Sequence, residues 1–337
     1  ERVRRRAWLG RGSGEVDEVA APDALLAALG ETDVLVSYVW DRARLHALVV
    51  GAEGSTVVDL GSHVPVLELL GGLQADLDMG AATLSPVLHR AVRCSRDHRL
   101  AALAGLLVDP LLPRIGDRRV VLTSAGLLSG VPWSLLPGLV GRPLTVPVTA
   151  TRWTATRGLD RPRSAAFVAG PGVARAAEEV KQSAERWDGS VCLTDTRATV
   201  TATLAAADGA DLLHISAHGR HAADNPLFSG VLLADGPLFG YDLDHVEAVP
   251  DVVLLSACEV GRSTQRWAEE SLGMVNAWLH AGARCVIASP AAIADDEACE
   301  VLQDVHRLMA RGTPPGVALA DATAQRPTSF VSFGAGW

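Results

Sequence analysis

Residues 211–219 read Asp-Leu-Leu-His-Ile-Ser-Ala-His-Gly, and residues 251–261 read Asp-Val-Val-Leu-Leu-Ser-Ala-Cys-Glu-Val-Gly. The two stretches have one shape. Each is a short apolar run that ends in small residues and then a single reactive side chain, His218 in the first and Cys258 in the second. A continuous apolar run of this length between turn residues predicts a strand buried on both faces of a parallel sheet. Sites in such sheets form beyond the carboxyl ends of the strands. The expectation is that His218 and Cys258 meet there as base and nucleophile.

Each candidate has a bland reading beside it. Free cysteine is among the most buried residue types, so a core role is the default. Cys258 differs because it ends its run and is followed by Glu259-Val260-Gly261, which reads as a loop. Cys94 and Cys299 lie in helical patterns, and Cys192 and Cys285 sit at strand starts. A thiolate needs a nearby base or positive field to be populated at neutral pH, and His218 is the candidate. His214, His218 and His221 form a series that invites a zinc site. On a strand, however, residues four apart stand roughly 13 Å from one another, too far to share one ion. His214 therefore reads as a core histidine, and no metal or cofactor is expected. Gly219 follows His218, where a glycine lets the backbone approach a ligand and leaves an N–H to face an oxyanion.

Other signals are weaker. Gly170-x-Gly172, after a strand and before a helix, hints at dinucleotide binding, but the third glycine is replaced by Arg175. Ser256 has no flanking glycines and makes no nucleophile elbow. The net charge of -9 argues against direct nucleic-acid binding. Five scattered cysteines without a CxxC pair fit a reducing compartment, hence the cytoplasm. Leu122–Gly141 approaches membrane length, but Pro132 and Pro137 make it strand, turn and loop, so no membrane association is expected. The chain opens without an initiator Met and is expected to be a piece of a longer protein.

In order, residues 1–22 read as a tail. Residues 23–160 form a first half, with a helix at Pro22–Leu29, strands at Val34–Trp40, Leu45–Gly51 and Thr56–Leu60, helices at Val64–Leu77 and Thr83–Val108, and strands at Arg119–Thr123 and Leu144–Val148. The Arg- and Thr-rich residues 150–164 read as the junction. Residues 161–337 form a second half: a strand at Ala165–Ala169, a helix at Val173–Trp187 with an acidic start at Glu178 and Glu179, then the His and Cys strands. A hairpin across Asp235-Gly236 is expected between them. Helices follow near Ser271–Ala281, Asp296–Met309 and Pro315–Ala324. Alternating strands and helices predict an α/β layered fold.

These residues carry a resemblance. Ser216-Ala217-His218-Gly219, Asn225-Pro226-Leu227-Phe228-Ser229-Gly230, Leu233-Ala234-Asp235-Gly236 and Leu255-Ser256-Ala257-Cys258-Glu259-Val260-Gly261 together resemble the CHAT domain family, caspase-like cysteine peptidases often found behind tetratricopeptide repeats. The similarity continues through Gly273, Ala281-Gly282-Ala283-Arg284 and Val286-Ile287-Ala288-Ser289. Upstream, Val34–Val50 with Tyr38 resembles the family's opening hairpin, and Leu128–Pro137 its Leu-Pro-rich loop. The resemblance implies a three-layer caspase-hemoglobinase α/β fold, with a degenerate first half packed on an active second half. It implies a cysteine endopeptidase with His218 and Cys258 as the dyad, acting on a protein substrate and gated by an N-terminal repeat or sensor domain or a regulatory partner. The N–H groups of Gly219 and Cys258 would be the oxyanion donors. Ser256 would line the pocket for the residue before the cut, and Asp295 and Asp296 could supply negative charge for an Arg or Lys there. After Ser289 the family often continues Leu-Trp-Pro, where this chain has Pro290-Ala291-Ala292. Two other classes stand beside the peptidase: a catalytically silent caspase-like scaffold, and a nucleotide binder resting on Gly170-x-Gly172.

Overall fold

The structure is a computed structural model that describes residues 19–41, 44–82, 84–124, 126–220, 229–257 and 267–337, with backbone alone at Leu127, Arg220 and 267–272. The first half starts with α1 (Pro22–Leu29), which has proline in its first turn and stops where Gly30 takes φ 55°. β1 (Asp33–Asp41), β2 (Arg44–Gly51) and β3 (Gly54–Ser62) form an antiparallel meander. β2 buries Leu45, Ala47, Val49 and Gly51, the alternation its sequence predicts. α2 (Val64–Ala81), α3 (Pro86–Leu107), α4 (Leu112–Ile115), β4 (Arg119–Thr123) and β5 (Leu144–Val146) follow. The junction holds a helix that its polar composition hides, α5 (Ala150–Thr156). Thr149 caps it by accepting from the Arg152 N–H at 3.0 Å, and the fully buried Trp153 fixes it to the body.

The second half runs β6 (Ala165–Ala169), α6 (Ala176–Ala184), β7 (Val191–Leu193), α7 (Val200–Ala207), β8 (Leu212–Ser216), β9 (Gly219–Arg220), β10 (Gly230–Leu233), β11 (Gly236–Phe239), β12 (Val252–Ser256), α8 (Trp267–Ala281), β13 (Cys285–Ala288), α9 (Asp295–Met309), α10 (Pro315–Thr323) and β14 (Val331–Gly334). The expected hairpin is β10 and β11, paired antiparallel with Leu233 opposite Gly236. Among the described residues, eleven strands make one sheet in the order β3-β2-β1-β4-β5-β14-β13-β12-β8-β6-β7. β14 joins the halves: it runs parallel to β5 and antiparallel to β13. The final Trp337 packs back onto the first half, its Nε1–H donating to the buried Asp33 at 3.0 Å while Arg119 holds the other Asp33 oxygen.

The central strands are covered on both faces. Val253 and Leu255 of β12, with Leu213 and Ile215 of β8, face a core shared with α2, α3, α7 and α8. Val252, Leu254 and Leu212 face the opposite core, built with α6, α9 and α10. Parallel strands buried on both faces are apolar at successive positions, which is why these runs do not alternate. His214, Ser216 and Ser256 share parity with the second set, so they point toward α6 and α9. Leu122–Gly141 is the end of β4 followed by short 3-10 turns and loop, and no described helix is long and apolar enough to cross a membrane.

The two halves also meet at Asp78 of α2, whose carboxylate accepts from the backbone N–H of Ala292. Burial pushes this carboxyl up to about 6, against the lowering effect of that hydrogen bond. Its folded value thus lies above its unfolded one. The stability it contributes is complete at acid pH and is lost as pH rises through about 6. Asp78→Asn keeps the acceptor and removes the charge. It is expected to raise stability at pH 7.5 by about 1 kcal/mol, allowing for solvent screening of a half-buried group, and to have little effect below pH 4. Urea unfolding of variant and parent at the two pH values checks this, and an equal effect at both would refute it.

Candidate active site

β8 and β12 are neighbours, parallel and in register, from Leu212 opposite Val252 to Ser216 opposite Ser256. The Ala217 N–H donates to the Ser256 carbonyl at 3.0 Å, which locks the ends of the two strands level. Beyond them stand Ala217-His218 on one side and Ala257 on the other. Cys258 lies outside the described residues, as do Glu259, Val260, Gly261 and His221.

After His218 the chain leaves the main sheet for β9, which pairs with β10 so that Val231 stands opposite Gly219. The Leu232 N–H donates to the His218 carbonyl at 2.8 Å, pinning the backbone at the crossover. The imidazole lies over Gly172: a Cβ there would stand 3.1 Å from Nε2 and 3.3 Å from Cδ2. Gly172 also holds φ +83°, a conformation L side chains rarely adopt. Gly170 is equally constrained, since a Cβ would meet the Leu232 carbonyl at 2.4 Å and the Ala217 Cβ at 2.6 Å. The glycine pair that suggested a dinucleotide loop therefore has a steric role: it makes room for the His218 crossover. His218 Nδ1 is buried and has no hydrogen-bond partner among the described residues. Gly219 sits beside the Ala257 carbonyl, 3.7 Å from where a Cβ would be.

Below the strand ends lies a tight cleft of about 10 Å³, lined by Val173, Arg175, Glu179, Ser256, Asp295 and Ala298 among others. Ser256 and Asp295, which the sequence offers as pocket residues, are thus brought to one cleft. Asp295 and Asp296 belong to the first turn of α9. Asp296 is engaged by Arg175 Nη1 at 2.8 Å, and the same guanidinium binds Glu178 at 2.6 and 3.0 Å.

Glu179 was read from sequence only as part of an acidic helix start. The structure buries it to 2% exposure at the cleft wall. Its Oε2 accepts from the Ser256 hydroxyl at 3.3 Å and its Oε1 lies 3.0 Å from His214 Nε2. His214 Nδ1 is 2.9 Å from His306 Nε2, and His306 Nδ1 is 3.2 Å from Trp187 Nε1. The indole N–H can only donate, so the proton order follows. His306 accepts at Nδ1 and carries its proton on Nε2. His214 then accepts at Nδ1 and donates from Nε2 to Glu179. Burial, and secondarily His214, hold His306 well below the usual histidine range, consistent with a neutral ring. His214 is the core histidine expected, with 0% exposure. The signal for Glu179 was its spacing: Ala176, Glu179, Val180 and Ser183 form one buried stripe of α6.

Cys192, Cys285 and Cys299 are poor nucleophiles. Burial raises the Cys285 thiol to about 12 and the Cys299 thiol to about 11, the latter with a contribution from Glu179, and burial also raises Cys192. Cys94 lies exposed on α3 of the first half.

A family model described as the CHAT domain matches residues 97–326. No curated protein matches the chain. Among solved structures, two crystal structures of the Saccharomyces cerevisiae separase–securin complex, at 3.0 and 2.6 Å resolution, superpose with TM-scores of 0.64 and 0.63 at 8% sequence identity. Each match covers 93% of this chain and 30% of the other, so the chain spans less than a third of that neighbour's length. The likeness is one of fold: a mostly parallel sheet between helical layers, the caspase-like α/β arrangement the sequence led us to expect.

Proposed function

Because the chain belongs to the CHAT domain family, we propose that it is a cysteine endopeptidase that cuts a specific protein partner through His218 and Cys258. The observation that supports this most is the register of β8 and β12. His218 and position 258 each follow, by the same number of residues, two serines that face one another across parallel strands. That is where open α/β sheets place reacting groups. Cys258 Sγ attacks the scissile carbonyl carbon, forming the C–S bond. Its proton passes to His218, and we assign Nδ1 as the acceptor because it is the buried nitrogen that has no partner among the described residues. The imidazolium then protonates the leaving amine as the C–N bond breaks, and water hydrolyses the thioester. N–H groups at Gly219 and Cys258 stabilise the oxyanion, and Ser256 and Asp295 line the substrate pocket.

We assign residues 23–160 as the degenerate half and 161–337 as the catalytic half, working in the cytoplasm without metal or cofactor. Separase is seen with securin in the neighbouring structures, and a regulatory protein or an upstream sensor domain is the corresponding expectation here. Cys258→Ala and His218→Ala are each expected to abolish cleavage of the cognate protein while the chain stays folded. Cleavage unchanged in Cys258→Ala would sink the proposal and leave a silent scaffold as the better reading. The inactive Cys258→Ala chain, used as bait, serves to retain that cognate protein.

A further inference from the structure

We infer that β3, the outer strand of the first half, is the pairing edge for a second copy of this chain, the two sheets joining antiparallel about a twofold axis through Val57. The inference does not rest on the peptidase reading, and its failure would leave that reading untouched. Among the described residues the large sheet ends in β3 on one side and β7 on the other. The two edges are built differently. β7 has three residues, Val191–Leu193, and Lys181 and Arg197 stand close enough to act on the thiol of its Cys192. The chain then turns away through Asp195, which holds φ 57°. A short strand with cations beside it is an edge kept from pairing. β3 has nine residues, Gly54–Ser62, with no Lys, Arg or Pro among them. Its one charged side chain, Asp59, is paired with Arg44 of β2 and accepts from the Gly61 N–H at 3.0 Å. That charge is neutralised within the protomer and does not hold an incoming strand away.

The phase of the backbone fixes which groups are open. Residues of an antiparallel strand direct their N–H and C=O groups alternately toward one neighbour and toward the other side. The two-residue turn at Ala52-Glu53 makes Gly51 and Gly54 a hydrogen-bonded pair. Thr56, opposite Val49, and Val58, opposite Ala47, therefore also bond to β2. Ser55, Val57 and Asp59 point their backbone groups outward, where no described strand meets them. The open run is centred on Val57. A twofold axis there sets Val57 against Val57 of the second copy and Ser55 against its Asp59. Each pair exchanges two N–H···O bonds, so every open group of the run is used. The side chains agree with this register. Val57, 65% exposed, meets its own image, and the Ser55 hydroxyl faces a carboxylate. Leu48 lies opposite Val57 in β2, so one apolar row continues through the axis into its own copy. Another protein would have to bring the complementary order of side chains, whereas the second copy carries it by symmetry.

Sedimentation equilibrium of the full chain tests this. The monomer is 35.3 kDa, and the chain is expected to reach twice that mass as its concentration rises. An edge-to-edge interface of small area predicts a dissociation constant on the order of 10 µM. Hydrogen exchange over residues 54–62 is expected to slow at least threefold between dilute and concentrated chain. Val57→Lys sets two cations against each other on the axis, at an exposed position whose backbone groups β2 does not use. It is expected to weaken association at least tenfold. Ser55→Lys, which this register places opposite Asp59, is expected to change association threefold or less. Urea midpoints matching the parent at dilutions where all are monomers show that the variants fold. Should Val57→Lys not fold, exchange over residues 54–62 in the parent chain decides the matter. Four results would overturn the inference: a chain that stays monomeric, a dimer indifferent to Val57→Lys, a dimer weakened equally by both substitutions, or a dimer with no slowing of exchange over residues 54–62.

Discussion

His214→Leu is expected to destabilise the protein by about 3–5 kcal/mol, the usual cost of removing one partner from a buried, hydrogen-bonded charge. His214 is the middle of a chain that crosses the second core, and its loss orphans a group on each side. Glu179 Oε1 loses its donor, leaving Ser256 as its remaining partner. His306 Nε2–H loses its acceptor in a site with no exposure. The leucine fills most of the imidazole volume, so little of the effect is cavity; it is desolvation without compensation. The same reasoning predicts strong non-additivity. Glu179→Met with His214→Leu removes the buried charge and its donor together, and the pair is expected to cost less than His214→Leu alone. Urea unfolding of the two single variants and the double measures the coupling. If His214→Leu costs under about 1 kcal/mol, Glu179 is not a buried carboxylate and the proton order drawn from Trp187 is wrong.

The parts of the fold that could be read from sequence are those fixed by local pattern. β8 and β12 are short continuous apolar runs between turn residues, a length and composition that favour a buried strand over a helix. The hairpin at Asp235-Gly236 and the stop of α1 at Gly30 come from residue-specific backbone preference, which is also local. His218 was legible as the proposed base because it ends such a run before a glycine. The cleft was not. Its hydrogen-bond chain joins residues 35, 77, 92 and 119 positions apart, from two strands, two helices and the turn after α6. No local pattern encodes which face of β8 meets which face of α6. Glu178-Glu179 read as two charges at a helix start, where acids are favoured by the dipole; the buried spacing with Ala176, Val180 and Ser183 distinguishes the second from the first only once the stripe is drawn. Gly170 and Gly172 gave only a weak hint, for the opposite reason. Glycines after a strand have a well-known meaning in phosphate loops, but their need here arises from a crossover near His218 that lies far along the chain.

Gly172→Ala is expected to lower the cleavage rate by roughly a hundredfold, as misplacing a reacting group by a fraction of an ångström to an ångström does. Two effects operate at this position and they can be separated. The first is backbone strain, because alanine at φ +83° is disfavoured by about 1–2 kcal/mol. The second is the contact of 3.1 Å between the new methyl and His218 Nε2, which is tighter than van der Waals packing permits. The ring cannot yield freely: the backbone beneath it is pinned by the Leu232 N–H, and Gly170 is closed in by the same strand. It must rotate or the Gly172 loop must lift, and either moves Nδ1 away from the position at which it would receive the thiol proton. Gly209 supplies the control. It holds φ +81° with nothing within 4 Å of a Cβ, so Gly209→Ala carries the strain without the contact. Gly209→Ala should lose on the order of 1 kcal/mol in urea and Gly172→Ala at least as much, and only Gly172→Ala should lose turnover. Equal turnover in both would mean that His218 does not need the place this fold gives it, and the assignment of His218 as the base would fall with it.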